Sequence, residues 1–327
     1  DSDDNFFKDI EIVNCFNCLQ EGFEELFHKF IVSIVEKHQS KSELPESFFL
    51  IVSSTEPGFL SNFAEFASSS LIQMMEIKSD TITAETTLFF IRKVIDFVDD
   101  QTVENLIFIV FGLFEKDSNG ACETIQKISE KAPSVLCHFS SQIISIVSDD
   151  KIKLNESCSL VVSLFKLLDS MTSESEKYGE VLSFVHSFIG QYLNAVISLF
   201  DENSDQSSTF SEKLDFLNEF LHFLVTLFGE LPESVSADFK SSLFDLISPT
   251  LKPVLLIQDD ETQDYFCKLF ELFLEHEFIN DRSQGEFMVE WISNAIQTHP
   301  RNLHFNLVNF LIDNFEKNGE LPDGYTV

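Results

Sequence analysis

Apolar residues recur along most of this chain at the three- and four-residue spacing of an amphipathic helix. In the segment GACETIQKISEKAPSVLCHFSSQIISIV (120–147), two such stripes are separated by Pro133. Because proline has no N–H and restricts the residue before it, the first helix should end near Ala132 and a second should begin at the proline. The stripes comprise Ala121, Ile125, Ile128 and Ala132, then Leu136, Phe139, Ile143 and Val147.

The same unit of two short helices recurs along the rest of the chain. A single helical hairpin buries too little apolar surface to be stable in water, so it needs similar neighbours on both sides. The first helices of successive pairs start roughly 35 to 55 residues apart, close to the HEAT/armadillo period of about 40–47. There is no alternating strand pattern, and no Asn-Gly turn joins two such strands. Further helices are predicted over 84–98, 103–115, 155–169, 180–200, 211–231, 237–256, 262–278, 285–299 and 302–315.

The predicted fold is therefore all-α: a HEAT-like helical-repeat solenoid of about six to eight antiparallel helix pairs, wound into a right-handed superhelix. A solenoid has one continuous core, so residues 1–327 are predicted to form a single segment, although this length would ordinarily suggest two domains. Polar stretches at 38–47, 53–58 and 201–209 are interpreted as breaks between helices. The chain starts without methionine and ends where a further repeat is expected, so we expect a segment of a longer protein.

Acidic residues dominate the charge. The chain has 55 Asp and Glu against 21 Lys and Arg, a net charge of −34, with a pI near 4.3. This balance argues against direct binding of nucleic acid, because phosphate contacts need Lys and Arg, and against an anionic membrane surface. The acidic surface could attract a basic protein or peptide, or it could simply keep an apolar solenoid soluble. The composition alone leaves both explanations open.

The 37 phenylalanines fall mostly on the apolar stripes, which indicates that they form the core. The longest apolar run, at 106–114, is much shorter than the roughly 20 residues needed to span a bilayer. We therefore predict no membrane insertion.

Residues able to bind metal or catalyse a reaction form no recognisable pattern. Cys15 and Cys18 make a lone Cys-x-x-Cys, without the second pair or the histidines that a structural zinc site needs, so we predict two core thiols. Six scattered cysteines in helical segments are typical of reduced thiols in an intracellular protein. The histidines form no His-Glu-x-x-His, and no nucleophile elbow or phosphate-binding glycine motif occurs. We predict no enzyme activity, no cofactor, no bound metal and no disulfide.

Three stretches resemble a known protein family. ETTLFFIRKVIDFVDDQTVENLIFIVFGLF (85–114) is similar to one of its helical hairpins, and the segment 120–147 resembles the hairpin that follows. FMVEWISNAIQTHPRNLHFNLVNFLIDNFEKNG (287–319) is similar to a hairpin that ends in a leucine-rich helix. With the order of the helices between them, they resemble the middle to C-terminal repeats of karyopherin-β nuclear transport receptors, especially the transportin-SR and importin-thirteen branch. The resemblance covers nearly the whole chain.

This resemblance implies a cargo-binding segment of a receptor that carries protein cargo through nuclear pores under the control of the GTPase Ran. Ran would bind mainly through repeats outside this segment, and nuclear pore proteins would be further partners. The protein would occur in both cytoplasm and nucleus. Two alternatives stay open: a HEAT-repeat structural scaffold, and a regulatory subunit of a larger complex.

The stretch TQDYFCKLFELFLEHEF (262–278) departs from the family pattern. In transportin-SR receptors, the corresponding helix carries arginines that bind phosphorylated Arg/Ser-rich cargo, whereas this chain has Lys268 beside Glu271 and Glu275. A phosphorylated cargo would be repelled, while an unphosphorylated basic cargo remains compatible. We predict that these three residues face the cargo; the alternative is that they are ordinary solvated positions.

Overall fold

A computed structural model describes most of the chain between residues 29 and 312. The described residues are 29–38, 44, 46–53, 60–61, 63–77, 82–149, 152–200, 209–255, 257, 259–279, 282–298 and 307–312. All regular secondary structure within these ranges is helical, and none of it is strand. The predicted all-α class is confirmed for this part of the chain. Most residues of the predicted breaks at 38–47, 53–58 and 201–209 lie outside the described part of the chain, as do Cys15 and Cys18.

Within the described residues, the helices are named α1 to α15 in chain order, and some of the 3-10 turns extend or interrupt them. Those next to a helix end span Ile95–Phe97 after α4, Cys137–Phe139 between α7 and α8, and Leu167–Ser170 after α9. The helices are α1 (29–38), α2 (Glu46–Ser53), α3 (Ala64–Ile77), α4 (Ala84–Val94), α5 (Asp100–Leu113), α6 (Ser118–Lys131), α7 (Pro133–Leu136), α8 (Ser140–Val147), α9 (Leu154–Lys166), α10 (Glu176–Phe200), α11 (Phe210–Gly229), α12 (Ala237–Leu251), α13 (Asp260–Glu275), α14 (Arg282–Thr298) and α15 (307–312).

The chain divides into two compact units whose boundary falls inside α9. Unit 1 ends at Ser163 and unit 2 begins at Leu164. In unit 1, α4 lies between α2 and α6, and α3 lies beside α5. In unit 2, α12 lies between α10 and α14, and α11 lies beside α13. In each unit, alternate helices are therefore neighbours. That 1–327 forms a single segment stays a prediction.

Alternate helices that lie side by side run in the same direction. Glu65, in the first turn of α3, accepts hydrogen bonds from the backbone N–H of Asp99 and the hydroxyl of Thr102 at the start of α5. In unit 2, the Tyr178 hydroxyl at the start of α10 donates to the carbonyl of Ser234, just before α12, at 2.8 Å. The N-terminal ends of two alternate helices therefore lie next to each other. The helix between them must run in the opposite direction. Repeated helical hairpins produce this arrangement.

The helix break predicted at Pro133 is confirmed. α6 ends at Lys131, and Pro133 occupies the first position of α7. All eight residues of the two predicted stripes are buried. The second predicted helix is not continuous, however, because a 3-10 turn separates α7 from α8. This turn places the ring of Phe139 at 5.2 Å from Phe108 and 5.8 Å from Phe111, both on α5.

The helix α3 was not predicted from the apolar pattern. Its sequence, AEFASSSLIQMMEI, has serine at two positions that face the core. Ser68 and Ser70 are both buried, and Ser70 accepts a hydrogen bond from the backbone N–H of Leu44 at 2.7 Å. Small polar residues in the buried stripe therefore concealed its helical periodicity.

Phenylalanine side chains form much of the core in both units. In unit 2, the Phe273 ring of α13 lies 5.6 Å from Phe228 of α11 and 5.2 Å from Phe244 of α12. Such pairs contribute about 0.5–1.5 kcal/mol beyond the burial of their area. The predicted core role of phenylalanine is confirmed within the described residues for the fully buried Phe48, Phe49, Phe90, Phe165, Phe220, Phe228, Phe244, Phe266, Phe270, Phe273 and Phe278.

The helix α10 is long and apolar enough to cross a bilayer by length and composition alone. It is also amphipathic: it carries Glu180 on one side and buries the other while contacting α11 and α12. A buried helix in the core of a folded unit can have the same length and composition as a membrane-spanning helix, so α10 fits either description. The absence of membrane insertion stays a prediction. The buried stripe comprises Tyr178, Val181, Val185, Phe188, Ile189, Leu193 and Val196.

Candidate protein-binding surface

The three predicted cargo-facing residues lie along the solvent side of α13. Lys268 and Glu275 are exposed, and Glu271 is partly exposed. Their spacing of three and four residues places them on one stripe of the helix. The opposite side of α13 forms part of the core. That core side comprises Phe266, Cys267, Leu269, Phe270 and Phe273.

The stripe on α13 extends beyond these three residues. Glu261 and Asp264 precede Lys268 at the same spacing, Glu261 being exposed and Asp264 partly exposed. Carboxylates therefore flank Lys268 in both directions along the helix.

A second acidic stripe lies beside it on α11. Glu212, Asp215 and Glu219 are all exposed and follow one another at spacings of three and four residues. One turn further along α11, the ring of His222 lies 5.8 Å from the ring of Tyr265 on α13. The two stripes therefore lie on the same side of the helix pair. We call this surface the α11–α13 face and define it by Glu212, Asp215, Glu219, Glu261, Asp264, Glu271 and Glu275.

The acidic stripe on α11 was not predicted from the sequence. The signal was present, because acidic residues recur in SEKLDFLNE (211–219) opposite the apolar stripe. What the sequence did not show is that α11 lies directly beside α13.

The positive charge of Lys268 is offset by a neighbour. Its ammonium group forms an ion pair with Asp264 and lies 5.7 Å from the centre of the Tyr265 ring. The hydrogen bond to Asp264 raises the pKa of Lys268, since it stabilises the charged form. Lys268 therefore stays protonated at neutral pH, but the pair contributes little net positive charge to the face.

A buried hydroxyl links the start of α13 to α11. The carboxylate of Asp259, the N-cap of α13, accepts the backbone N–H of Thr262 at 2.9 Å. The Thr262 hydroxyl lies 2.7 Å from Oδ1 of Asn218 on α11 and 2.8 Å from the Asp259 carboxylate. Hydrogen bonds from the backbone and side chain of Thr262 lower the pKa of Asp259. These contacts fix the two acidic stripes relative to one another.

One carboxylate of the face also caps its own helix. The Thr209 hydroxyl accepts the backbone N–H of Glu212, and the Glu212 carboxylate accepts the backbone N–H of Thr209 at 2.7 Å. This capping box defines where α11 begins and holds the first carboxylate of the stripe in place.

The described residues offer no cluster of three or more His, Cys, Asp or Glu side chains that could hold a metal ion. No disulfide joins the four cysteines in this part of the chain. Burial raises the pKa of both the Cys122 and Cys267 thiols to about 12, with smaller contributions from nearby carboxylates. Both thiols are therefore protonated at neutral pH, and a protonated thiol is a poor nucleophile.

No protein-family model matches the chain, and a search of curated proteins finds no match. The resemblance to karyopherin-β receptors therefore stays a prediction made from the residues themselves.

Proposed function

We propose that this chain is the cargo-binding segment of a karyopherin-β nuclear transport receptor and that it binds a basic protein or peptide through the α11–α13 face. A basic partner is proposed because two acidic stripes are exposed side by side on the parallel helices α11 and α13. The resemblance of three hairpins to the receptor family supports the class of function.

A HEAT-like solenoid with a right-handed superhelical path is part of this proposal. The parallel neighbours found within each unit support it, because stacked helical hairpins produce such pairs. A compact globule of this length would have a radius of gyration of about 20 Å. Small-angle X-ray scattering tests the shape: we expect a clearly larger radius, and a value close to 20 Å would rule out an extended solenoid.

The proposed cargo binds by the summed attraction of many weak charge pairs. An exposed pair contributes about 0–1 kcal/mol, so no single carboxylate should dominate. A basic segment that lies between the stripes can meet carboxylates of both helices at once. Screening by salt should weaken the complex, since these charges are exposed to solvent.

The test of the face is charge reversal at Glu271 and Glu275. The double variant Glu271→Lys/Glu275→Lys should bind a labelled Lys/Arg-rich peptide about tenfold more weakly by fluorescence anisotropy, which corresponds to about 1.4 kcal/mol. The matched control, Glu176→Lys/Glu180→Lys, makes the same charge change at the same spacing on α10 and should have a smaller effect. Equal losses in the two double variants would show a general charge effect and no specific face.

The sign of the cargo charge is tested with a phosphorylated peptide. An Arg/Ser peptide should lose affinity for the wild-type protein on phosphorylation and regain part of it with the Glu271→Lys/Glu275→Lys variant. Tighter binding of the phosphorylated form to the wild-type protein would contradict the proposed cargo class.

The transport role is tested separately from cargo binding. We expect the full-length protein to bind GTP-loaded Ran and nuclear pore proteins, and to occur in both cytoplasm and nucleus. A full-length protein that binds the basic peptide but ignores GTP-loaded Ran would instead be a HEAT-repeat scaffold or a regulatory subunit.

A further inference from the structure

Unit 1 carries an apolar cleft of about 440 Å³ between α3 and α5. We call it the α3–α5 cleft. It runs beside the C-terminal halves of both helices, while Glu65 joins their N-terminal ends. Its apolar lining comprises Ile72 and Met75 from α3, with Phe108, Ile109 and Leu113 from α5.

Two residues at the cleft leave an apolar surface open to solvent. Phe108 is 58 % exposed, although its ring lies against the edge of Phe139. One helical turn later, nothing outside the adjacent residues and the backbone of α5 lies within 4 Å of the place where a Cβ of Gly112 would be. An exposed aromatic ring beside a concave apolar surface is typical of a binding site. Gly112 keeps the cleft wide, because any longer side chain at this position would project into it.

The cleft has an acidic rim. Glu76, on α3, is exposed at its edge, and Lys116 lies opposite, after α5. Glu104 is partly exposed on α5 one turn before Phe108, and Glu115 is exposed in the turn that follows α5. The lining itself holds one charge of each sign, Glu76 and Lys116, and among the described residues next to it Glu104 and Glu115 add two carboxylates. This charge favours a ligand that combines an apolar stripe with basic flanks.

The walls of the cleft limit the conformation of a peptide bound there. Both walls are helices, whose backbone N–H and C=O groups bond within each helix away from their ends. An extended peptide would find no backbone partners along them, unlike a peptide that adds to the edge of a sheet. A helical peptide satisfies its own backbone groups and can pack its side chains between two parallel helices.

We propose that the α3–α5 cleft binds an amphipathic helix of a partner protein, with large apolar residues at i, i+4 and i+7 against Phe108 and the cleft, and Lys or Arg on both flanks. This site lies in unit 1 and does not depend on the α11–α13 face in unit 2. Either site can therefore fail its test without affecting the other.

The experiment uses the whole chain and a labelled synthetic peptide of about four helical turns with this pattern. Two companion peptides serve as probes of specificity. One has the same composition with the apolar residues scrambled, and the other has Glu in place of every Lys and Arg. Binding is measured by fluorescence anisotropy, and every cleft variant and control is made in the Glu271→Lys/Glu275→Lys background, because the α11–α13 face is itself proposed to bind Lys/Arg-rich peptides.

Two variants remove the site, and each has a matched control. Gly112→Gln fills the cleft, whereas Gly179→Gln makes the same change at an open, exposed helical glycine of α10. Phe108→Ala removes the exposed ring, whereas Phe89→Ala removes a 41 % exposed ring on α4. Because these positions are exposed, all four variants should keep the wild-type circular dichroism spectrum.

We expect the basic amphipathic peptide to bind, and both cleft variants to lose about tenfold or more in affinity. The two controls should stay within about twofold of the parent protein with an unaltered cleft. Equal binding of the scrambled peptide, unchanged affinity in both cleft variants, or no binding of any peptide would overturn the proposal. Equal binding of the Glu-flanked peptide would overturn the choice of a basic partner.

Discussion

Asp259 provides the sharpest test of how α13 is fixed beside α11. Its carboxylate caps α13 and also lies 2.8 Å from the Thr262 hydroxyl, which is fully buried. The same hydroxyl lies 2.7 Å from the side-chain oxygen of Asn218 on α11. Since a hydroxyl has one proton to donate, only one of these acceptors is needed at a time. Asp259→Ala therefore removes the cap but leaves Asn218 to accept from Thr262.

The expected loss of stability follows from that geometry. Replacing an N-cap aspartate by alanine costs about 0.5–2 kcal/mol. A buried hydroxyl left without a partner would cost a further 1–3 kcal/mol or so, but Asn218 prevents this in the single variant. We expect Asp259→Ala to lower the free energy of unfolding by about 1 kcal/mol. The double variant Asp259→Ala/Asn218→Ala should lose more than the sum of the single variants, by about 1 kcal/mol.

Trp291 provides the assay. It is the only tryptophan in the chain, is 3 % exposed on α14, and lies 4.3 Å from the Phe270 ring of α13. Its fluorescence during urea unfolding therefore reports on packing beside α13. Asp260→Ala, which removes the same charge from the next residue without removing the cap, is the control. Equal shifts for Asp259→Ala and Asp260→Ala, or additive losses in the double variant, would refute the reasoning.

The same carboxylate should make stability depend on pH. Hydrogen bonds from Thr262 hold the pKa of Asp259 below its ordinary value, so its contribution is fully present above about pH 4 and is lost as the pH falls through the lower folded-state pKa. Asp259→Asn keeps a capping oxygen and does not titrate. We expect the stability advantage of the wild type over Asp259→Asn to shrink on acidification below about pH 4. An advantage that stays constant with pH would contradict this assignment.

Three further predictions concern the core, a helical glycine and the buried thiols. Phe270→Ala should lower the free energy of unfolding by about 3–5 kcal/mol and shift Trp291 fluorescence; a loss below about 1 kcal/mol would contradict its core role. Gly112→Ala should raise stability by about 0.5–1 kcal/mol in thermal melts, because its new methyl group meets nothing within 4 Å; a decrease would show a hidden clash. Cys122 and Cys267 should react with iodoacetamide slowly before unfolding and fully in urea, as measured by mass spectrometry of the digested protein; rapid native labelling would show that they are accessible.

Local sequence predicted the helix break at Pro133 because the missing N–H and the restricted φ act on adjacent residues. It did not predict the 3-10 turn at Cys137–Phe139, whose phenylalanine ring contacts Phe108 and Phe111 of another helix. The position of that ring depends on how separate helices pack.

For the α11–α13 face, too, one part could be predicted from the sequence and another part could not. Helical periodicity was sufficient to predict that Lys268, Glu271 and Glu275 share one side of α13. The neighbouring acidic stripe depends on the register between α11 and α13, set by contacts such as Asn218 with Thr262. Residues 44 positions apart determine that register, and the spacing within either helix does not reveal it.

The side-by-side packing of alternate helices also affects how each unit can be made on the ribosome. Bonded partners such as Glu65 and Thr102, or Tyr178 and Ser234, are 37 and 56 residues apart. At about 5–20 residues per second, a helix would meet its parallel neighbour within roughly 2 to 11 seconds of its own synthesis. Within each unit, every new helix can therefore dock while the chain is still growing, so exposed apolar faces are covered in the order in which they are translated.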